Sequence, residues 1–234
     1  MRGTIDAVPT ISPVSPKSID AAAAAKLVQR GDTVMVGGFG LVGKPLTLVE
    51  ALLDNPEATE LTVVSNNLGE PGRGLGRLLL EGRVRKAIGS FFTSNPDVVA
   101  AYEAGTLDVE LTPQGTLAEA IRAGGAGVGA FYVRTGAGTK LAEGRETRDI
   151  GGVPHLLWHA LRADVALVRA RRADTLGNLV YEKTARNFNP DMATAAELVI
   201  AEVDEIVDVG ALDPESVVTP HLLVDHLVLT GAAA

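Results

Sequence analysis

The chain reads as an α/β fold, an open, mostly parallel sheet with helices on both faces. Three observations predict it. Short apolar runs of strand length alternate with segments of helix length, an order that lays strands parallel and covers both faces. Glycine is abundant, at 26 of 234 residues, and gathers where the apolar runs end. Apolar residues make up 46% and charged residues 21%, the balance of a globular chain with a sizeable core.

Residues 1–17 hold three prolines and no periodicity. They read as a loose N-terminal arm ahead of one domain over 18–234. Ser18 is placed to cap an alanine-rich helix over Ile19–Gln29, with Gly31 beyond its end. Thr33–Val36 is a compact apolar run, expected as a buried parallel strand. Pro45 opens a helix through Leu53, consistent with proline at a first helical position. The alternation continues with strands at Leu61–Ser65, Val84–Ile88, Val109–Thr112 and Ala130–Val133. Helices fall between them at Leu75–Glu81, Pro96–Ala104 and Thr116–Ala123. Residues 134–160 look irregular. Strand-like runs return at Val165–Val168, Leu179–Tyr181 and Leu198–Val207, and Asp213-Pro214-Glu215 reads as a turn.

Composition narrows the function. Lys and Arg number 21 against 29 Asp and Glu, a net charge of −8, which argues against a protein whose main partner is nucleic acid. The absence of cysteine excludes disulfides, a thiol nucleophile and thiolate-bound zinc. No apolar run follows Arg2 as in a secretory signal, and none approaches a membrane span. A cytoplasmic location is expected, with no membrane partner.

In open α/β sheets ligands bind beyond the carboxyl ends of the strands, so the loops after Val36, Ser65, Thr112 and Val133 carry the interest. Gly37-Gly38-Phe39-Gly40-Leu41-Val42-Gly43-Lys44-Pro45 ends at a predicted helix N-terminus, where an anion is favoured. It is neither a P-loop nor a dinucleotide fingerprint, and a tight strand-to-helix turn explains it equally. Ser65-Asn66-Asn67-Leu68-Gly69 sets adjacent amides at a strand end, suited either to a turn or to donating toward a carbonyl or oxyanion. Thr112-Pro113-Gln114-Gly115 offers another neutral amide, or simply starts a helix. The glycine clusters 72–76 and 124–129 lack the context of a dinucleotide loop.

His155 and His159 share helical i, i+4 spacing without a third metal ligand, so a structural or surface pair is expected and no metal. Glu202, Asp204, Glu205 and Asp208 read as a solvated face or strand end. Arg171-Arg172 and the segment 183–190 supply positive charge, for a phosphate, an acidic partner or surface ion pairs.

Taken together and in order, five stretches resemble the alpha subunit of the family I coenzyme A transferases of the 3-oxoacid type. They are VMVGGFGLVGKP at 34–45, LTVVSNNLGEPG at 61–72, LTPQGTLAEAIRAGGAGVGAFY at 111–132, ADVALVRARRADTLGNLVYEKTARNFNP at 163–190 and ALDPESVVTPH at 211–221. Arg30, Arg134 and the segment 149–158 depart from the family pattern.

The resemblance implies one half of a two-part enzyme. The nucleophilic glutamate lies on a beta subunit, in an expected α2β2 assembly, and carries CoA as a glutamyl thioester between an acyl-CoA and a short-chain carboxylate. No cofactor is held permanently, and the CoA thioester enters as substrate. By the same resemblance Gln114 is the catalytic amide. Asn66 and Asn67 line the acyl pocket, and Phe131 and Tyr132 either shape it or belong to the core. Gly37, Gly38, Phe39 and Gly40 sit by the thioester end of CoA. Two other readings stay open on the residues alone: a self-sufficient sugar-phosphate-binding or isomerase-like domain, and a non-catalytic assembly subunit.

Overall fold

A computed structural model describes residues 17–230. The proposed arm, apart from Lys17, lies outside the described residues. The main sheet is built from β1 (Thr33–Val36), β2 (Leu61–Val64), β3 (Val84–Gly89), β4 (Asp108–Leu111), β8 (Ala163–Asp174), β10 (Ala196–Val207) and β11 (His226–Leu229). Their spatial order is β11-β10-β8-β1-β2-β3-β4, and every one of these pairings is parallel. A two-residue strand β9 (Leu179–Val180) adds antiparallel to the far end of β8.

Helices α1 (Ala21–Ala25), α2 (Leu46–Ala51), α3 (Leu75–Leu80) and α4 (Pro96–Glu103) pack on one face. Helices α5 (Gln114–Gly125) and α6 (Asn189–Thr194) cover the other. Period-two alternation divides the strand side chains between the faces. Val34 and Val36 of β1 point to the first core and Met35 to the second, all at most 1% exposed. The expected α/β architecture is therefore present.

Four expectations are corrected. The first helix is shorter than Ile19–Gln29, and its cap is Asp20, whose carboxylate accepts from the Ala23 N–H at 2.6 Å. Ser18 and Ile19 are used otherwise, because they run beside β11, where the Ile19 N–H donates to the Leu227 carbonyl at 2.9 Å. Pro45 stands just outside α2, which ends in a 3-10 turn over Leu52–Asp54. Asn189–Thr194 and His226–Leu229, which carry no clear periodicity, form α6 and β11.

The fourth correction is topological. β5 (Ala130–Val133) does not extend the parallel sheet. It pairs antiparallel with β7 (Val153–His159), which pairs in turn with β6 (Thr147–Ile150). Gly151 and Gly152, at φ 64° and 80°, make the two-residue turn of that hairpin. Two successive positive φ values match the twist of antiparallel strands and favour glycine. The segment read as irregular thus holds a second, three-stranded sheet. His155 and His159 lie on strand β7 rather than on a helix, and the His155 Nδ1 sits 2.7 Å from the Val153 carbonyl oxygen. Among the described residues no group of three or more acidic or histidine side chains is arranged to hold a metal ion.

The first turns of the fold are tied by Asn55. Its amide donates to the carbonyls of Ala25 and Val28 at 2.7 and 2.8 Å and accepts from the Glu57 N–H at 3.0 Å. Ala25 ends α1 and Val28 lies in the turn beyond it, and Asn55 is 5% exposed. Truncation takes this donor from the Val28 carbonyl and leaves the Ala25 carbonyl with the Val28 N–H alone, so Asn55→Ala is expected to cost about 1–3 kcal/mol with little change in the urea m value. Urea denaturation checks this, and a midpoint equal to that of the unchanged chain would refute the tie.

Candidate active site

The loop after β1 begins with Gly37. A Cβ there would lie 1.8 Å from Asn189 Oδ1, so only glycine admits this approach. Asn189 is fully buried, accepts from the Arg169 N–H at 2.8 Å and donates to the Gly43 carbonyl at 3.0 Å. Asn187 works beside it, accepting from the Gly38 N–H at 3.0 Å and donating to the Val42 carbonyl at 3.0 Å. Phe39 and Val42 close a tight turn through reciprocal backbone bonds of 3.0 and 3.1 Å. The positive segment 183–190 therefore contributes less by charge than by two asparagines that grip the glycine loop.

The anion expected at the end of this loop belongs to the chain itself. Glu202, 2% exposed, accepts from the Leu48 N–H in the first turn of α2 at 3.1 Å. Burial pushes its carboxyl above the ordinary carboxylate range, while the Leu48 N–H and Arg169, whose Nε lies 3.6 Å away, act in the other direction. Glu202 is thus a buried helix cap rather than part of a solvated acidic face. The anion favoured at this helix N-terminus is matched by a carboxylate of the chain's own.

The other two loops meet the first. Ser65 Oγ donates to the Val36 carbonyl at 2.8 Å and ties β2 to β1 beyond the last ladder bond. Asn66 and Asn67 are both buried. Asn66 Nδ2 donates to Gln114 Oε1 at 2.9 Å and to Ser90 Oγ at 3.1 Å, and its Oδ1 accepts from the Gly40 N–H at 3.5 Å. Gln114 is the first residue of α5 and is exposed. Ser90 Oγ also donates to Gln114 Oε1. Gly89 makes this convergence sterically feasible, because a Cβ there would fall 2.4 Å from the Ser65 carbonyl oxygen. The glycine loop, the paired asparagines and the glutamine, separate motifs in the sequence, form one hydrogen-bonded cluster at the strand ends. Ser90 joins them without any motif of its own.

Asn67 points into its own turn, where its Oδ1 accepts from the Gly69 N–H at 3.4 Å. Phe131 and Tyr132 stand on β5 in the smaller sheet. The Tyr132 hydroxyl bonds Glu146, which raises its pKa, and neither aromatic residue is hydrogen-bonded to the amide cluster. Within the glycine clusters 72–76 and 124–129, Gly76, Gly124 and Gly125 serve close packing, while Gly72, Gly74 and Gly127 take positive φ. Added Cβ atoms would lie 2.1 Å from the Glu70 carbonyl oxygen at Gly76 and 1.9 Å from the Leu161 carbonyl oxygen at Gly124. Phe39, Val42, Phe91 and Leu111 are each more than half exposed near these strand ends, and Phe39, Val42, Thr184 and Asn187 border an open hollow of about 320 Å³.

Chemically the cluster supplies neutral donors. Among the described residues no carboxylate is hydrogen-bonded to it. One ionisable group stands behind it: Lys44, 3% exposed, donates to Ser65 Oγ at 3.0 Å. Burial pushes its amine down from 10.5 to about 7. The folded state therefore disfavours the ammonium form. Its cost is full below about pH 7 and shrinks as pH rises toward 10.5, where the unfolded chain also loses the proton. Lys44→Met is accordingly expected to gain most, relative to the unchanged chain, near pH 6, with the difference narrowing toward pH 10. Urea denaturation at several pH values reads this, and a pH-independent difference would mean an ordinary amine.

Comparison with known proteins meets this geometry. The family description "Coenzyme A transferase" matches residues 18–230. The chain is 54% identical over 210 residues to one subunit of the succinyl-CoA:3-ketoacid coenzyme A transferase of Xanthomonas campestris pv. campestris (strain B100), covering 90% of this chain and 86% of that one. It is 47% identical over 216 residues to one subunit of the 3-oxoadipate CoA-transferase of Pseudomonas putida, covering 91% and 93%. Its backbone superposes with a TM-score of 0.84 on an acyl-CoA transferase of Escherichia coli O157:H7, at 23% identity. That alignment covers 92% of this chain but 47% of the other, so the chain spans about half of that longer protein. With a family match from end to end of the described fold and relatives near half identity, the chain belongs to the coenzyme A transferase family, as a subunit of a CoA-transferase.

Proposed function

We propose that this chain is the alpha subunit of a 3-oxoacid CoA-transferase, moving CoA between an acyl-CoA such as succinyl-CoA or acetyl-CoA and a short 3-oxoacid such as acetoacetate. The observation that carries the reading is the amide cluster, in which the Oε1 of Gln114 is taken by protein donors while its Nε2 carries no protein acceptor among the described residues. The two relatives named for 3-ketoacid and 3-oxoadipate transfer support the substrate class.

In this reading a glutamate carried by the beta subunit is the nucleophile, and it attacks the thioester carbonyl of the acyl-CoA. The C–S bond breaks, and a mixed anhydride and CoA thiolate result. The thiolate then attacks the glutamyl carbonyl, expels the acyl group as a carboxylate and leaves a glutamyl-CoA thioester. The acceptor carboxylate takes up CoA by the reverse steps. Splitting one exchange into two acyl transfers is the general advantage of covalent catalysis.

This chain's part is to receive the charge that develops on the carbonyl oxygen. Gln114 Nε2 donates to it, and Asn66, held by its bond to the Gly40 N–H, keeps the glutamine in place. A neutral donor suits a site that must also accept and release carboxylates, because it forms no ion pair that holds the product. Gly37, Gly38, Phe39 and Gly40 border the approach of the thioester end, and Asn67 with Phe131 and Tyr132 outlines the acyl side. CoA enters as a substrate, with no cofactor held between turnovers.

The proposed assembly is α2β2, and the exposed Phe39, Phe91 and Leu111 around the cluster suit burial against the beta subunit. No helix among the described residues is long and apolar enough to cross a membrane, and the proposed location is the cytoplasm, where acyl-CoA substrates are at hand.

Gln114 is exposed, so its removal tests chemistry rather than folding. Gln114→Ala in the enzyme assembled with its partner is expected to lower kcat by about 10²–10³-fold, the usual cost of one oxyanion donor, with an unchanged melting temperature. Steady-state kinetics with succinyl-CoA and acetoacetate checks it. Undiminished turnover would remove Gln114 from the mechanism.

A further inference from the structure

We infer that Ser90 is a positioning residue, which fixes the amide of Gln114 so that its N–H group, and not its carbonyl, faces the reacting thioester. The inference rests on the catalytic role of Gln114 proposed above.

An amide side chain has two nearly isosteric ends of opposite character. A glutamine at a catalytic site is useful as a donor only if something forbids the flipped arrangement. The backbone here supplies a reference of known polarity. The Gly40 N–H can only donate, so the Asn66 atom facing it is the carbonyl Oδ1, at 3.5 Å. Nδ2 of Asn66 then lies on the other side, toward Gln114 and Ser90, at 2.9 and 3.1 Å. An NH2 group cannot accept, so the Gln114 atom it meets is Oε1. A flipped glutamine would set two NH2 groups against each other.

Ser90 supplies the second constraint. Its hydroxyl accepts from Asn66 Nδ2, and of the two acceptors within reach of its single hydrogen, Gln114 Oε1 lies nearer than the Asn66 backbone carbonyl at 3.3 Å. Gln114 Oε1 therefore receives two protein donors, one for each lone pair. The remaining group, Nε2, is left pointing away from the cluster, with no protein acceptor among the described residues. The hydroxyl is itself held in place, because the Ser90 and Phe91 N–H groups both donate to the Asn66 carbonyl, at 3.0 and 3.1 Å. Gly89 permits the approach that brings this turn onto the asparagine. Orientation is thus relayed from the Gly40 N–H through Asn66 and Ser90 to Gln114, across four loops that are distant in sequence.

The test uses the enzyme assembled from this chain and its partner subunit. Ser90→Ala is expected to lower kcat by about 3- to 10-fold, the usual effect of one neutral hydrogen bond, with KM for the acyl-CoA little changed. Ser90→Thr, which keeps the hydroxyl, restores most of the loss. In a Gln114→Ala background, Ser90→Ala is expected to cost nothing further, since there is no amide left to orient. A Ser90→Ala loss of equal size in both backgrounds would overturn the inference, because the hydroxyl would then act on its own.

A second readout does not depend on turnover. In Ser90→Ala the side-chain ¹⁵N–¹H₂ signal of Gln114 is expected to show a lower order parameter than in the unchanged enzyme. Equal order in both would likewise overturn the inference. If Gln114→Ala itself leaves kcat intact, the catalytic reading of Gln114 fails, and the order parameter alone decides whether Ser90 orients the amide.

Discussion

The site depends on the grip of Asn189 and Asn187 on the loop after β1. Glycine-rich loops are entropically costly to order, since glycine loses more backbone freedom than any other residue. Here the cost is offset by side-chain bonds matched to the backbone. Asn189 takes the Arg169 N–H and gives to the Gly43 carbonyl, while Asn187 takes the Gly38 N–H and gives to the Val42 carbonyl. Each asparagine imitates a missing strand. Gly37 must lack a Cβ for Asn189 to reach its place. Without this grip the Gly40 N–H would have no fixed position, and the polarity it imposes on Asn66 would be lost.

Two buried charges flank the loop, and they are handled differently. Glu202 is compensated by the Leu48 N–H at the start of α2 and by Arg169, so it keeps partners for its oxygens. A partnered carboxylate of this kind fixes an element's position, although it adds little net stability over an apolar substitute. Among the described residues Lys44 has only the Ser65 hydroxyl, and it yields by giving up its proton more readily. The amine thus ties the loop to β2 while burial disfavours a full charge behind the amide cluster. Both arrangements keep full charge away from the amide cluster, which offers neutral N–H donors.

Much of this is legible in the sequence, for a physical reason. Parallel strands buried on both faces leave compact apolar runs such as Thr33–Val36 and Leu61–Val64, and the turns that follow them need glycine or asparagine. The loops bearing Gly40, Asn66 and Gln114 therefore stand out one by one. Their convergence does not, because strand order is a tertiary fact. The hairpin of β6 and β7 is hidden because β6 is exposed and charged, although Gly151-Gly152 between them is an available signal. Ser90 lies in a stretch with no pattern, and its importance arises only from what Gly89 lets it touch. Glu202 resembles surface because Asp204 and Glu205 beside it are solvent-facing; it shares a face with Asp204 but is covered where it meets the Leu48 N–H of α2, a contact that strand periodicity does not reveal.

In the proposed mechanism the same geometry suits a chain that works with a partner subunit. A transferase that passes through a covalent glutamyl thioester needs a nucleophilic carboxylate and, opposite it, donors for the carbonyl oxygen. If both sat on one rigid cluster, a strong donor would pair with the carboxylate in the resting state and blunt it. Gln114, with its acceptor end saturated by Asn66 and Ser90, has only its donor end to present, and it presents it outward from the strand ends. The apolar side chains around it, Phe39, Phe91 and Leu111, would be costly to leave in water but are well placed to exclude water once covered. Excluding water strengthens each N–H contact to a developing oxyanion and protects a thioester from hydrolysis. In that proposal, a nucleophile on a separate polypeptide lets the interface that shuts out solvent be the same one that brings donor and nucleophile together.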